Sequence, residues 1–162
     1  MEISTFITTQ EITLALQLIV AINLGMLLGA ERKMAGKTAG MRTHALVAMA
    51  STLYTSLAVF YSVSPEGFGI SDPFRVIAGV VTGIGFIGAG IIMFRDATPK
   101  GITTAAGLWV TSAIGVSIGL GYYFIAVIGT LLVLFIFRVL WVVERQMQHA
   151  WSDDTEVIAD KE

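Results

Sequence analysis

Five long apolar runs, separated by short polar connections, make up most of the chain. A helix needs about 20 apolar residues to cross the hydrocarbon core of a bilayer, and each run is about that long. The pattern therefore predicts an all-α integral membrane protein, built as a bundle of five transmembrane helices. The predicted spans lie near Ile12–Ala30, Ala45–Val63, Phe74–Phe94, Ile102–Leu120 and Tyr122–Val143.

The pattern also divides the chain into one transmembrane domain with a short segment on each side. Residues 1–11 are predicted to be an external N-terminal segment, 12–143 the five-helix domain and 144–162 a cytoplasmic, acidic tail. The N-terminal segment has no basic region and no small-residue cleavage site, so we expect the first span to stay in the mature protein. Only Gly119-Leu120-Gly121 separates the last two spans, which predicts a tight turn there.

Lys and Arg residues cluster at alternate ends of the predicted spans. Loops rich in these residues stay on the cytoplasmic side of a membrane. This rule predicts that the N-terminus lies outside and the C-terminal tail in the cytoplasm, with Arg75 on the outer side. The basic residues on the predicted cytoplasmic side are Arg32, Lys33, Lys37, Arg42, Arg95, Lys100, Arg138 and Arg145.

Composition agrees with this fold and removes several classes of function. Hydrophobic residues make up 55% of the chain and charged residues 14%, which is too little polar material to cover a water-soluble globule. The chain has no cysteine for disulfides or thiolate metal sites, and no basic stripe of the kind that nucleic acid requires. No HExxH, GxSxG, P-loop or paired-carboxylate spacing occurs either. We therefore expect no enzymatic activity, no cofactor, no metal centre and no nucleic-acid partner.

Span one carries two amides, Gln17 and Asn23, on one side of the helix and two glycines on another. Asn23 is costly in hydrocarbon unless it is paired, so we expect it to face other helices, either as a hydrogen-bonding contact or in a permeation or ligand site. Gly25 and Gly29 lie four residues apart, a spacing that lets another helix approach closely. Span one is therefore predicted to have helix partners on two sides.

Span three is the most glycine-rich of the five. A helix with so much exposed backbone is destabilised unless neighbours pack tightly against it, so we expect span three to be the central helix. Its run GIGFIG matches the GxGxxG dinucleotide pattern, but that motif follows a strand, and this one lies inside a predicted membrane helix. We therefore assign the glycines to helix packing: Gly79, Gly83, Gly85, Gly88 and Gly90.

Small and hydroxylated residues align along one side of span four. Such side chains let two helices approach and exchange hydrogen bonds, and they can equally line a narrow polar path. Span five, in contrast, is nearly all bulky and apolar, so it suits a lipid-facing position or a contact between copies of the chain. The aligned residues of span four are Thr104, Gly107, Thr111, Ser112, Gly115 and Gly119.

The connection between spans one and two carries both signs of charge. Glu31 lies in the last turn of span one, where a carboxylate opposes the helix dipole, so it needs a partner of its own. We expect it to pair with Arg42 or another cation at this edge, either as a structural ion pair or within a ligand or ion site. Thr43 is predicted to cap span two, and His44 to be hydrogen-bonded at the start of that helix.

Four separated motifs, in order along the chain, resemble the MgtC/SapB membrane family. They are GAER at residues 29–32, AGMRTHALV at 39–47, GIGFIGAG at 83–90 and GITTAAGLW at 101–109. The resemblance extends over residues 24–121. It adds Arg32 and Thr103 to the candidate site residues, with Thr103 standing where some members of the family have Asn.

This resemblance implies a bacterial inner-membrane protein tied to magnesium homeostasis, to adaptation to low magnesium and, in pathogens, to survival inside macrophages. It further implies action through regulation of other membrane proteins, ATP synthase among them. The better-known members carry a soluble cytoplasmic domain after the fifth span, whereas this sequence continues for about 19 residues beyond Val143. It therefore resembles a short form, to which no function of that domain can be transferred.

Two classes of function fit these features. The first is a regulatory interaction protein, embedded in the lipid bilayer, whose glycine-rich helix faces bind a membrane-protein partner or a second copy of the chain. The second is an ion or small-solute channel or carrier whose path runs between spans one, three and four. Residues expected along such a path are Asn23, Glu31, Arg42, Thr104 and Thr111.

Overall fold

The computed structural model describes residues 9–63, 72–95, 98–143 and 146. The last helix continues through a π-helical turn, Ile136–Leu140. Five helices in this part of the chain, the last one including its continuation, are long and apolar enough to cross a membrane, as the hydrophobic pattern predicts. Residues 1–8 of the predicted external segment, and the predicted acidic tail apart from Gln146, lie outside the described residues. The helices are α1 Thr9–Met34, α2 Met41–Val63, α3 Pro73–Ile91, α4 Ile102–Gly119 and α5 Tyr123–Phe135.

The turn between α4 and α5 is as tight as the sequence predicts. Gly121 adopts a φ of 83°, a left-handed conformation that glycine enters without steric cost. Its N–H donates to the carbonyl of Ile118 at 2.9 Å, and the N–H of Tyr122 donates to Ser117 at 2.8 Å. This pair of bonds ends α4 by satisfying two carbonyls that have no partner further along the helix.

Span three ends earlier than the predicted boundary at Phe94. Helix α3 stops at Ile91, and strand β1, Met93–Arg95, pairs antiparallel with strand β2, Thr98–Lys100. The hairpin brings the chain back to the end of α3, where a Cβ on Gly101 would lie 2.5 Å from the Ile91 carbonyl oxygen. The last residues of the apolar run therefore extend beyond the helix, because they pair with a second strand and do not continue the helical hydrogen-bond pattern.

The central helix of the bundle is α4, and the prediction that span three holds this position is wrong. Helix α4 packs against all four other helices. In its apolar stretch 56% of the residues are buried, against 6% in α3. Only Ile84 and Gly88 are buried in α3. Glycines allow other helices to approach closely, but glycine content alone does not show which helix is surrounded by the others.

Helix α2 crosses α1 at very short range because two glycines face it. A Cβ on Gly25 would lie 2.7 Å from the carbonyl oxygen of His44, and a Cβ on Gly29 would lie 2.5 Å from the Cα of Met41. Real Cβ atoms do not sit this close to backbone. Both glycines therefore hold the end of α1 against the start of α2.

The other side of α2 meets α4 in the same way. A Cβ on Gly115 would collide with the carbonyl oxygen of Ala48, and a Cβ on Gly119 would lie 2.7 Å from the Cβ of Thr55. Helix α2 is thus held between two glycine-bearing helix faces. The apolar core beside this contact is built from Ala21, Leu28, Ala48, Ile114, Ile118, Ala126, Val133 and Phe137.

Candidate functional site

One end of the bundle collects most of the basic residues and is called here the basic end. Helix α1 finishes there, α2 begins there and α5 finishes there, so that the charged connection between the first two helices meets the last helix. Five residues from four helices come together at this point and form the basic-end cluster. They are Glu31, Arg32, His44, Gly107 and Phe137.

Glu31 pairs with its neighbour Arg32 and not with Arg42. The Arg32 Nε donates to the Glu31 Oε2 at 2.5 Å, and both side chains are at least nine-tenths buried. Arg42 is exposed. Of the two partners expected for Glu31, Arg42 or another cation at this edge, the structure shows the second, because the close approach at Gly29 fixes Met41 against α1 and Arg42 is exposed.

Arg32 has two further contacts, both with Phe137 of the π-helical turn. Its guanidinium carbon lies 3.6 Å from the centroid of the Phe137 ring, and its Nη2 donates to the Phe137 carbonyl at 3.4 Å. A buried guanidinium is stable only when its donors and its face are compensated, and here a carboxylate, a carbonyl and an aromatic ring share that task. The sequence did not distinguish Phe137 from the other bulky residues of span five.

His44 is completely buried and bonded on one side only. Its Nδ1 lies 3.1 Å from the Gly40 carbonyl oxygen, one turn earlier, as expected for a histidine at a helix start. Its Nε2 has no hydrogen-bond partner in the described part of the chain. This nitrogen points toward Gly107, where a Cβ would lie 3.7 Å from it and 2.9 Å from the Phe137 ring. Because Gly107 has no side chain, the His44 imidazole and the Phe137 ring can pack against the backbone of α4.

In the basic-end cluster, the Glu31 carboxylate is neutralised by Arg32, and the His44 Nε2 beside them has no hydrogen-bond partner among the described residues. The single carboxylate is already engaged by Arg32. Among the described residues no three His, Cys, Asp or Glu side chains come close enough together to hold a metal ion. The cluster can donate or accept one hydrogen bond at His44, and it holds α1, α2, α4 and α5 together.

Asn23 does not face other helices, contrary to expectation. Its side chain is exposed, and its Nδ2 donates to the carbonyl of Ile19 in its own helix at 2.7 Å. This hydrogen bond to the preceding turn of α1 satisfies the amide N–H without a partner on another helix. The free-energy cost of an unpaired amide in hydrocarbon therefore does not require Asn23 to face inward. The amide of α1 that does face inward is Gln17.

Gln17 joins a buried polar network that sequence reasoning largely missed. Its Nε2 donates to the carbonyl of Ile118 at 3.1 Å, and its Oε1 accepts from Ser56 at 2.7 Å. Nearer the basic end, Ser51 and Ser112 share a hydrogen bond of 3.0 Å. The sequence feature that could have predicted this network is a set of hydroxylated residues on span two, paired one helical turn apart: Ser51, Thr52, Thr55 and Ser56.

The threonine candidates divide between interior and surface. Thr104 and Thr111 are buried, and the Thr111 hydroxyl donates to the Gly107 carbonyl of its own helix at 2.8 Å. Thr103 is exposed. Thr43 does not cap α2, because that helix already begins at Met41 and places Thr43 inside the first turn.

A groove of about 680 Å³ opens on the side of the bundle between α2 and α3. Its walls are mostly apolar, with hydroxyl groups only from two serines and a tyrosine. Gly79 and Gly83 line it, one helical turn apart, and a Cβ on either would meet nothing within 4 Å. Gly85 and Gly90 are equally open but lie outside the groove. We call this feature the α2–α3 groove.

Five apolar helices around a glycine-packed centre, with a charge pair buried at one end, define a multi-pass α-helical membrane protein. Within that class the chain belongs to the MgtC family, whose model matches residues 18–146. The resemblance inferred from the four motifs is thereby confirmed.

Relatives of this chain come from several bacteria. It is 44% identical over 115 residues to the "Putative magnesium transporter YhiD" of Escherichia coli K12, covering 69% of this chain and 53% of YhiD. It is 40% identical over 119 residues to the protein MgtC of Salmonella typhimurium, covering 74% of this chain and 48% of MgtC. It is 37% identical over 125 residues to the protein SrpB of Synechococcus elongatus, covering 72% of this chain and 69% of SrpB.

The matched region thus spans about half the length of YhiD and MgtC. No solved structure matches the chain. Among these relatives, YhiD of Escherichia coli K12 is the one whose name refers to magnesium transport.

Proposed function

We propose that this chain is a protein of the bacterial inner membrane that serves magnesium homeostasis by binding and regulating another membrane protein, without enzymatic activity. Family membership and the name of one relative, YhiD, support the link to magnesium. Adaptation to low magnesium, including its part in virulence, belongs to the same proposal and rests on the family resemblance.

The proposed orientation has the basic end in the cytoplasm and the N-terminus outside. At the basic end lie Arg32, Lys33, Lys37, Arg42, Lys100 and Arg138, whereas Arg75 begins α3 at the other end. Positively charged loops are retained in the cytoplasm during insertion, which supports this orientation.

The α2–α3 groove is the observation that favours binding of a partner over transport of a solute. A polar solute needs a polar path, but this groove is walled mainly by apolar side chains and opens toward the side of the bundle. Gly79 and Gly83 would allow the backbone of another helix to approach, which is the usual way that membrane helices associate. The occupant we propose is therefore a transmembrane helix of the regulated protein.

The interior of the bundle supports the same choice. The buried polar groups of the middle, Gln17, Ser56, Ser51 and Ser112, bond to one another and to backbone carbonyls. Among the described residues, helix α3 packs on α2 and α4 but not extensively on α1, which speaks against the expected path between spans one, three and four. The transport alternative retains one specific point in its favour, the buried Glu31 beside Arg32.

A matched pair of glycine variants tests the proposal. Gly83→Leu fills the α2–α3 groove, whereas Gly85→Leu adds the same side chain to α3 outside it, and a Cβ at either position meets nothing within 4 Å. In a bacterial strain lacking its own family member, we expect the native chain and Gly85→Leu to support growth at limiting magnesium. Gly83→Leu, present in the membrane at the same level, is expected to fail.

Liposomes containing the full chain and a magnesium indicator separate the two classes of function. We expect the same magnesium entry as in protein-free vesicles. Flux that depends on the chain and is abolished by Glu31→Gln would instead support a carrier. Equal growth with Gly83→Leu and the native chain would contradict the groove as the regulatory surface.

A further inference from the structure

A crevice between the ends of α1 and α5 at the basic end is not used by the proposed function. It consists of two adjoining cavities, of about 340 and 290 Å³, which share Glu31, Met34 and Arg138 as lining residues. It has no lining residue in common with the α2–α3 groove. We call it the α1–α5 crevice.

The two cavities of the crevice differ in character. The first is walled by apolar side chains such as Leu27 and Leu134. The second lies nearer the helix ends and is bordered by Trp141. Leu134 lies four residues before Arg138, which places it about 6 Å further from the end of the bundle. The crevice therefore runs from an apolar region to an aromatic and charged mouth.

The charge at the mouth is positive and has no counter-charge of its own among the described residues. Arg138 lies within the long apolar stretch Tyr123–Val143, and its side chain makes no hydrogen bond or ion pair in the described part of the chain. Glu31 also lines the crevice, but its carboxylate is engaged by Arg32 at 2.5 Å. Glu31, Arg32 and Arg138 together therefore have a net charge of one positive unit, which Arg138 carries.

A guanidinium in this setting needs an anion that can reach it from the membrane. Arginine within an apolar span is costly unless its charge meets water or a counter-ion at the membrane edge. Guanidinium and phosphate pair through two parallel hydrogen bonds, and basic pockets between membrane helices are known to hold anionic head groups. Tryptophan prefers the same interfacial depth.

From this arrangement we propose that the α1–α5 crevice binds one anionic phospholipid. Its phosphate pairs with Arg138 beside Trp141, and one acyl chain lies against Leu27 and Leu134. A free phosphate would use the charge and leave the apolar half of the crevice empty. A zwitterionic lipid would place its own ammonium beside a site that is already positive. An anionic lipid matches both the charge and the apolar wall.

The test uses the full chain in nanodiscs of phosphatidylcholine, with phosphatidylglycerol as the probe. We expect phosphatidylglycerol to remain bound in native mass spectrometry and to raise the Tm, and phosphatidylcholine to do neither. Arg138→Gln should weaken retention about tenfold, as expected for one charge-assisted contact. Leu27→Trp leaves the charge but fills the apolar half, so it should weaken retention as well. Both side chains are exposed, so these variants are expected to fold.

Arg42→Gln is the matched control, because Arg42 is an exposed cation at the same end but outside the crevice. Retention equal to that of the native chain supports the proposal. An effect as large as that of Arg138→Gln would show diffuse attraction to the basic end and overturn it. Inorganic phosphate is added in a separate arm, and a Tm increase or competition equal to that of the lipid would overturn the choice of a phospholipid. None of these readouts depends on growth at low magnesium or on the α2–α3 groove.

Discussion

The guanidinium of Arg32 lies over the ring of Phe137, with 3.6 Å between its central carbon and the ring centroid. The same arginine donates to the Phe137 carbonyl at 3.4 Å and to Glu31. One residue of α5 thus covers the face of a cation from α1 and accepts one of its hydrogen bonds. The contact locks the ends of the first and last helices together at the basic end.

Phe137→Leu is expected to lower the free energy of unfolding by about 2 kcal/mol, because leucine fills part of the space but offers no π face to a desolvated guanidinium. Unfolding in detergent, followed by circular dichroism, measures the loss. The matched control is Phe135→Leu, since Phe135 is 57% exposed and should change stability by less than about 0.5 kcal/mol. Equal losses in the two variants would show that the ring contributes nothing specific to Arg32.

Arg32→Gln is expected to destabilise the protein by about 3–5 kcal/mol, because it leaves the Glu31 carboxylate buried without its cation. The double variant Glu31→Gln/Arg32→Gln should recover a large part of that loss. A double-mutant cycle on the free energy of unfolding measures the coupling. Simple additivity of the two single changes would contradict the pair, and Arg42→Gln, which removes an exposed cation, should alter stability by less than about 0.5 kcal/mol.

Gly29→Ala is expected to cost about 1–3 kcal/mol, because its Cβ would lie 2.5 Å from the Met41 Cα and push α2 away from α1. Gly85→Ala on α3 provides the comparison, since a Cβ there meets nothing within 4 Å. Alanine should even stabilise that position by up to about 1 kcal/mol through its higher helix propensity. Thermal unfolding of the two variants checks the sign, and a Gly29→Ala protein more stable than the native chain would be incompatible with this packing.

Gln17→Leu is expected to destabilise the bundle by about 1–3 kcal/mol, because it deprives the buried Ser56 hydroxyl of its acceptor. Gln17→Leu/Ser56→Ala should restore much of the loss, since no unpaired group then remains. Asn23→Leu serves as the control in the same helix and should be nearly neutral, because Asn23 bonds only to its own helix. If Asn23→Leu proved the more harmful change in unfolding measurements, the inward amide of α1 would have been misidentified.

The two amides of α1 show a feature that could not be predicted from the sequence, namely which of them faces the other helices. Both Gln17 and Asn23 carry the same polar group, and the cost of an amide in hydrocarbon applies equally to each. Back-bonding to Ile19 relieves that cost for Asn23, whereas Gln17 finds partners on two other helices. The choice depends on the rotation of α1 relative to its neighbours, which the sequence of one helix does not contain.

The number of helices, the tight turn at Gly121 and the family could be predicted from the sequence alone. Span length, turn residues and motifs are local properties, so they can be read without knowing which helix touches which. The packing of the helices was needed to show that α4 is central, that most glycines of α3 have no close neighbour and that Glu31 pairs with Arg32. These outcomes depend on which helix faces approach one another, because a glycine or a charge acquires its role from the neighbour that reaches it.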